Sequence, residues 1–180
     1  TCMKKVLLFF AFIMSVLTIQ AQDVFKKGDN MVSASVGVGN GIPVAVSYER
    51  GIVDNLFGGN GSIGLGGYLG YYSDKDEINY EGIKAGWKYN DIMIGVRGNL
   101  HYQFIEKLDT YAGLMLGYEI VKAKAITEGY DEKYTGSADG SGIGFSIHVG
   151  GRYYFTDNFG AFAEVGYGIA YANLGVSLKF

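Results

Sequence analysis

Cysteine and proline are almost missing from this 180-residue chain, which has one of each. Cys2 lies upstream of Met3 and of a leader-like segment, so the chain that follows has no thiol for disulfides, thiolate catalysis or cysteine-ligated zinc. The scarcity of proline points to a sheet without edges: proline cannot donate to a strand ladder, and a closed barrel has no edge to tolerate it. Pro43 sits beside Asn40-Gly41, where a strand would begin. Helical periodicity is missing too, because beyond the leader no stretch sustains apolar residues at i, i+3 and i+4. There is no basic cluster of the kind that suits nucleic acid, and the formal net charge of -3 falls further once Lys4 and Lys5 are removed. The glycines of Gly64 to Gly70 miss the G-x-G-x-x-G frame. The acidic group Asp74, Asp76 and Glu77 lacks the glycine and terminal glutamate of an EF-hand. No cofactor and no metal site are expected.

The leader is a short one. Lys4-Lys5 precede an apolar run from Val6 to Ile19, and Gln20-Ala21-Gln22 form a polar exit. That run is shorter than the roughly 20 residues a spanning helix needs, and its flanks are those of a secretory signal peptide. Residues 1–22 are expected to be the signal, cut after Ala21 or Gln22, with Thr1 and Cys2 a start-site artefact. Cys2 precedes the apolar run and so cannot be a lipoprotein anchor. Residues 23–180 form one domain, about the length that eight spanning strands of roughly 9 to 11 residues with their turns require.

Period-two alternation fills that domain. Val32 to Val38 make a first strand and Val44, Val46 and Tyr48 a second, followed by a Gly/Asn-rich turn through Asn60. Ile63 to Tyr71, Ile92 to Phe104, Ala112 to Ile120, Ile143 to Phe155 and Ala161 to Ile169 supply five more. Ala172 to Phe180 end the chain as an eighth, with Leu174, Val176, Leu178 and Phe180 on one face, and this strand is expected to pair with the first. Turns are expected at Glu106 to Asp109 and at Thr156 to Asn158. Polar, Tyr-rich loops are expected at Ser73 to Lys88 and Lys122 to Asp139. Short turns at one end and long loops at the other are the pattern of a spanning barrel.

Which face points inward decides between a soluble and a membrane barrel. The 29 glycines concentrate on the polar parity, as with Gly64, Gly66, Gly95, Gly113, Gly117, Gly150, Gly166 and Gly175. Glycine weakens a water-facing strand without compensation, but it fits a crowded lumen of eight strands. The opposite parity is aliphatic in its middle and aromatic towards strand ends, with Tyr71, Tyr102, Phe104, Tyr153, Phe155 and Phe180. Aliphatic-out and glycine-in is the order of a membrane barrel. The fold expected is therefore all-β, a closed antiparallel eight-stranded up-and-down transmembrane barrel.

Charges of lumen parity are few: Glu49, Arg97, Glu119, Arg152, Glu164 and Lys179, with His101 and His148. The turn at Thr156 to Asn158 sets Gly150 opposite Glu164, with Arg152 on the diagonal. The turn at Glu106 to Asp109 sets Gly95 opposite Glu119, with Arg97 on the diagonal. Buried charges must be paired, so these residues are expected to plug the barrel as a salt-bridge network, or in the alternative to form a gate for small solutes. Ser146 and His148 invite comparison with barrel enzymes acting on lipopolysaccharide, but that chemistry needs nucleophile, base and acid in hydrogen-bond reach at the lipid-exposed leaflet. These two instead share the lumen face about 7 Å apart and show no His-x-Ser order. Tyr80, Trp87, Tyr89, Tyr130 and Tyr134 are the aromatic contact residues expected at the outer loops.

With its leader, alternating strands, loop asymmetry and terminal Phe180, the chain resembles the small eight-stranded outer-membrane β-barrels of the porin-family type, similar in architecture to OmpX and the OmpA barrel. The resemblance implies export to the outer membrane, insertion by the barrel-assembly machinery, and outer-membrane lipid or lipopolysaccharide as surroundings. It is specific for architecture and poor for activity; the chain is expected to be no enzyme, and no extracellular ligand is named. The chain stops at Phe180, so the peptidoglycan-binding domain that follows the OmpA barrel is not expected.

Overall fold

A computed structural model describes residues 25–38, 42–80, 83–127, 137–167 and 170–180. The expected signal segment, residues 1–22, lies outside the described residues. Eight antiparallel strands form a closed barrel in sequence order. They are β1 (Asn30–Val38), β2 (Val44–Leu56), β3 (Gly61–Tyr80), β4 (Ile83–Ile105), β5 (Leu108–Thr127), β6 (Ser137–Tyr154), β7 (Phe159–Tyr167) and β8 (Ala172–Lys179). Strand β8 closes on β1 from Met31↔Lys179 to Val38↔Ala172, and Phe180 and Asn30 exchange backbone hydrogen bonds of 2.8 and 2.9 Å. Pro43 directly precedes β2, where it needs no ladder donor, and its carbonyl accepts from Gly37 N at 2.7 Å.

Alternation puts the two faces in different surroundings. The outer face carries an unbroken apolar belt that includes Val46, Leu69, Ile94, Val96, Leu114, Leu116, Phe145, Ile147, Val165, Leu174 and Val176, all exposed. At the turn end the belt finishes in aromatic pairs, with ring centroids 4.6 Å apart for Tyr102–Phe104 and 5.7 Å for Tyr153–Phe155. The buried residues inside are mostly polar or charged.

Three differences from the sequence reading have local causes. The described residues of the loops expected at Ser73 to Lys88 and Lys122 to Asp139 are strand, while 81–82 and 128–136 lie outside the described residues. Strands β3 and β4 stay paired from Tyr72↔Asp91 out to Tyr80↔Ile83, and β5 and β6 out to Lys124↔Ser137. In β3 the extension is largely polar on both faces, and in β4 and β5 the alternation reverses its sense. Trp87, Tyr89, Val121 and Ala123 keep the lumen parity while Lys88, Lys122 and Lys124 take the parity of the belt, so the apolar alternation of the belt does not continue into them. Strand β2 likewise runs on to Leu56 through register shifts after Gly51 and Val53, then turns through a single 3-10 turn at Phe57–Gly59. The turn after β4 contains only Glu106 and Lys107, the latter at φ 63°. With a bulge between Gln103 and Ile105, this turn places Gly95 opposite Gly117, and Met93 opposite Glu119.

Candidate functional site

Rows of the sheet explain how side chains meet inside the barrel. Asn99, Gly113 and His148 are register partners on β4, β5 and β6, and Tyr111, Gly150 and Glu164 on β5, β6 and β7. Each middle residue is a glycine, so its flanking side chains reach each other over bare backbone. Asn99 Oδ1 lies 2.7 Å from His148 Nε2, and Tyr111 OH donates to Glu164 Oε2 at 3.1 Å. A Cβ at Gly113 would collide with Asn99 Oδ1 and His148 Nε2, and one at Gly64 would collide with the Glu49 carboxylate. Gly64, Gly113 and Gly150 are therefore gaps through which polar side chains bridge non-adjacent strands.

The bridges join into one chain of contacts. Ser33 and Ser177 share a hydroxyl bond of 2.8 Å, and Ser177 Oγ accepts from Arg152 Nε at 3.0 Å. Arg152 Nη1 donates to Asp109 Oδ2 at 2.7 Å, and the other oxygen of Asp109 lies 2.9 Å from His101 Nδ1. His101 Nε2 in turn lies 2.7 Å from Glu49 Oε1, which also accepts from Asn99 Nδ2 at 2.9 Å. Asn99 leads to His148, and Arg97 Nη2 lies 2.7 Å from His148 Nε2 and 2.6 Å from Glu164 Oε2. Both ring nitrogens of His101 face carboxylates, which is the geometry of a doubly donating imidazolium. Counted so, Arg97, Arg152 and His101 balance Glu49, Asp109 and Glu164. His148 Nε2 meets a guanidinium donor and an amide oxygen together, so it can accept from Arg97 or donate to Asn99, not both. Arg97 Nε is buried without a partner among the described residues, while its guanidinium lies 5.9 Å from the Tyr68 ring centroid.

The turn end of the lumen is covered by the chain preceding β1. Phe25 is buried, its ring 4.4 Å from that of His101, and its carbonyl accepts from Ser62 Oγ at 2.9 Å. Gly28 N donates to Gly51 O, and Gly51 N to Asp29 O, both at 3.0 Å. A cavity of about 60 Å³ lies here against Phe25, Ser62, His101 and Asp109. A second, of about 20 Å³, lies deeper against Tyr68, Arg97, His148 and Glu164. The two share no lining residue. A far larger concavity, about 540 Å³, lies on the apolar outside over Gly98 and Ala112, between Ile63, Leu100, Leu114 and Ile147.

Of the charges expected in the lumen, Glu49, Arg97, Arg152 and Glu164 meet in the network, though not along the expected diagonals. Arg97 reaches Glu164 instead of Glu119, and Arg152 pairs with Asp109, its direct register partner. Glu119 stands outside the network, half-buried and diagonal to Asp91. Lys179 lies at the turn end, 3.9 Å from Asp29 and 5.2 Å from the Tyr154 ring centroid. Asp109, read from sequence as part of a turn, is 1 % exposed at the centre of the ion pairs. Its place one residue into a strand of lumen parity was the signal available. Ser146 and His148 succeed each other along the lumen side of β6, and the histidine is held by Arg97 and Asn99.

The aromatic contact residues divide. Trp87 and Tyr89 are exposed on the extended β4, opposite Asp76 and Asp74. Tyr80 ends β3, with its side chain outside the described set. Tyr130 and Tyr134 lie outside the described residues. Leu174, Val176, Leu178 and Phe180 are all exposed on the outer face of the closing strand and chain end.

No protein-family model matches the chain, and no curated protein does. Among solved structures it is similar to Ail, the attachment invasion locus protein of Yersinia pestis, in complex with the heparin analogue sucrose octasulfate. That match has 16 % identity and a TM-score of 0.53 over 86 % of this chain and 99 % of Ail. The N-terminal β-barrel domain of Pseudomonas aeruginosa OprF aligns over 86 % of this chain and 98 % of that one, at 19 % identity and a TM-score of 0.45. The likeness to Ail is one of fold. The architecture is that of a small eight-stranded outer-membrane β-barrel.

Proposed function

We propose that this chain is an integral outer-membrane protein without enzymatic activity. Its barrel is a packed anchor, and its extended hairpins form the surface on which it meets other molecules. The closed lumen network carries this reading. Three cationic and three anionic groups pair with one another across the interior, and the segment Phe25 to Asp29 covers the turn end. Buried charge at this density is tolerated only when paired, and the pairing fills the space that a solute would need. Strand β4 spans twelve residue steps from Ile92 to Phe104, about 40 Å of extended chain. At a tilt of about 40° that gives a height near 30 Å, comparable with the roughly 25 Å band of known spanning barrels.

Orientation follows from the two ends. The short turns at Phe57–Gly59, Glu106 to Lys107 and Phe155 to Asn158 suit the periplasmic side, and the extensions of β3 to β6 the outside. There Trp87 and Tyr89 offer amphipathic aromatic surface. A surface-interaction role also accords with the attachment name of Ail.

Planar-bilayer recording tests the packed reading. The purified chain is expected to insert without unitary currents. Reproducible unitary conductance that changes in Arg97→Gln or Arg152→Gln would replace the plug by a narrow channel.

A further inference from the structure

With the exception of Glu77, the acidic and basic residues on the extended β3–β4–β5 sheet fall on opposite faces. The side continuous with the lumen holds Asp74, Asp76, Asp91 and Glu119, while the side continuous with the apolar belt holds Lys75, Lys88, Lys122 and Lys124. The lysines are not scattered. Lys75 pairs in register with Lys88, and Lys88 with Lys124, so three ammonium groups stand in one row across three strands. Lys122 occupies the row beneath, between Asn90 and Asp139, and Glu77, paired with Gly86, falls in the row above. None of the four lysines makes an ion pair among the described residues. Lys75, Lys122 and Lys124 are exposed and Lys88 is half-buried.

Like charges directly opposite each other on neighbouring strands destabilise a sheet. Two such contacts in one row call for an anion that bridges them. The row's height says where the anion comes from: Tyr71, Ile92 and Ile120 form the last apolar row of the belt, and the lysine row lies two rows beyond it on the same face. Two rows are four residue steps, about 13 Å along a tilted strand, which is headgroup depth when the belt fills the hydrocarbon layer.

We infer that Lys75, Lys88 and Lys124, supported by Lys122, form a binding site for the phosphate groups of an anionic lipid headgroup in the outer leaflet. The ammonium groups bind phosphate oxygens as point charges, without the planar selectivity of arginine. The site therefore reads charge and depth, not headgroup shape. It rests on the membrane reading above and adds to it a lipid class and a location.

The test uses the full chain folded in neutral detergent micelles, with the gel-mobility shift on heating as a separate check of the barrel. Binding is measured with diphosphorylated lipid A, with the same lipid stripped of phosphate, and with inorganic phosphate. The variants are the triple Lys75→Gln, Lys88→Gln, Lys124→Gln and, as a control at the opposite end, Lys107→Gln. Juxtamembrane lysines each contribute substantially to anionic-lipid attraction. The triple variant is therefore expected to bind diphosphorylated lipid A at least about tenfold more weakly, with a shallower salt dependence. Lys107→Gln should match the parent, and phosphate-free lipid should bind alike to all three proteins. Equal affinity of parent and triple variant, or equal binding of phosphate-free lipid and lipid A to the parent, overturns the site while a retained heat shift leaves the barrel standing. Inorganic phosphate displacing lipid A at equal concentration would also overturn it, because the row would then be a site for free anions. A chain lacking the heat shift refutes the membrane reading instead.

Discussion

Replacing Asp109 by Asn removes one negative charge from the lumen without changing the shape of the side chain. Its carboxylate, 1 % exposed, is shared by Arg152 Nη1 at 2.7 Å and His101 Nδ1 at 2.9 Å. In the variant three cationic groups face two carboxylates, and an amide N–H is turned towards a donor. Removing one partner of a buried ion pair costs about 3–5 kcal/mol. With a urea dependence of about 2 kcal/mol per molar, that loss lowers the unfolding midpoint by about 1.5–2.5 M. The assay is urea unfolding from lipid vesicles, followed by Trp87 fluorescence and by the heat-dependent gel shift. A second variant isolates charge balance: Asp109→Asn with Arg152→Gln leaves Arg97 and His101 against Glu49 and Glu164. The two losses should then fall short of additivity by at least about 1.5 kcal/mol. An Asp109→Asn midpoint within about 0.3 M of the parent, or strict additivity in the double variant, would refute the balanced network.

Other expectations use the same unfolding assay. Gly113→Ala, whose methyl meets Asn99 Oδ1 and His148 Nε2, should destabilise by about 2–3 kcal/mol. Gly98→Ala, on the outer face with Leu65 Cδ1 3.8 Å away, should stay within about 0.5 kcal/mol of the parent. Phe25→Ala empties the space beside the His101 ring and should cost about 3 kcal/mol, measured against unchanged insertion yield. Val96→Lys, in the middle of the belt and 59 % exposed, should cost about 2–4 kcal/mol in vesicles. An exposed site on a water-soluble protein would tolerate that lysine within about 0.5 kcal/mol.

Alternation made the architecture readable wherever one face is apolar and the other glycine-rich. The eight strands, the β1–β8 closure and the pairing of Gly150 with Glu164 all follow from period two and a short turn. The β4–β5 register did not follow, because a two-residue turn and a bulge at Gln103 moved every later partner. That shift separates Arg97 from Glu119. The error at Asp109 has the same origin, since a residue assigned to a turn is not searched for buried partners. Contacts such as Arg97–Glu164 and Glu49–His101 cross the lumen between strands that are not neighbours. No diagonal rule along a strand pair can foresee them; the glycine between the flanking residues is the better guide, as with Gly113 and Gly150. The outer halves of β3 to β6 escaped notice because the belt parity turns polar there, with Lys75, Lys88, Lys122 and Lys124, and the apolar residues that remain, such as Trp87, Tyr89, Val121 and Ala123, stand on the lumen parity.

Fractionation of the cell envelope, followed by electrophoresis with and without boiling, tests the central claim most directly. A spanning, closed barrel predicts recovery with the outer membrane and a faster-migrating band in the unheated sample that shifts to the full-length position on boiling. Recovery as a soluble periplasmic protein whose mobility ignores heating would contradict it.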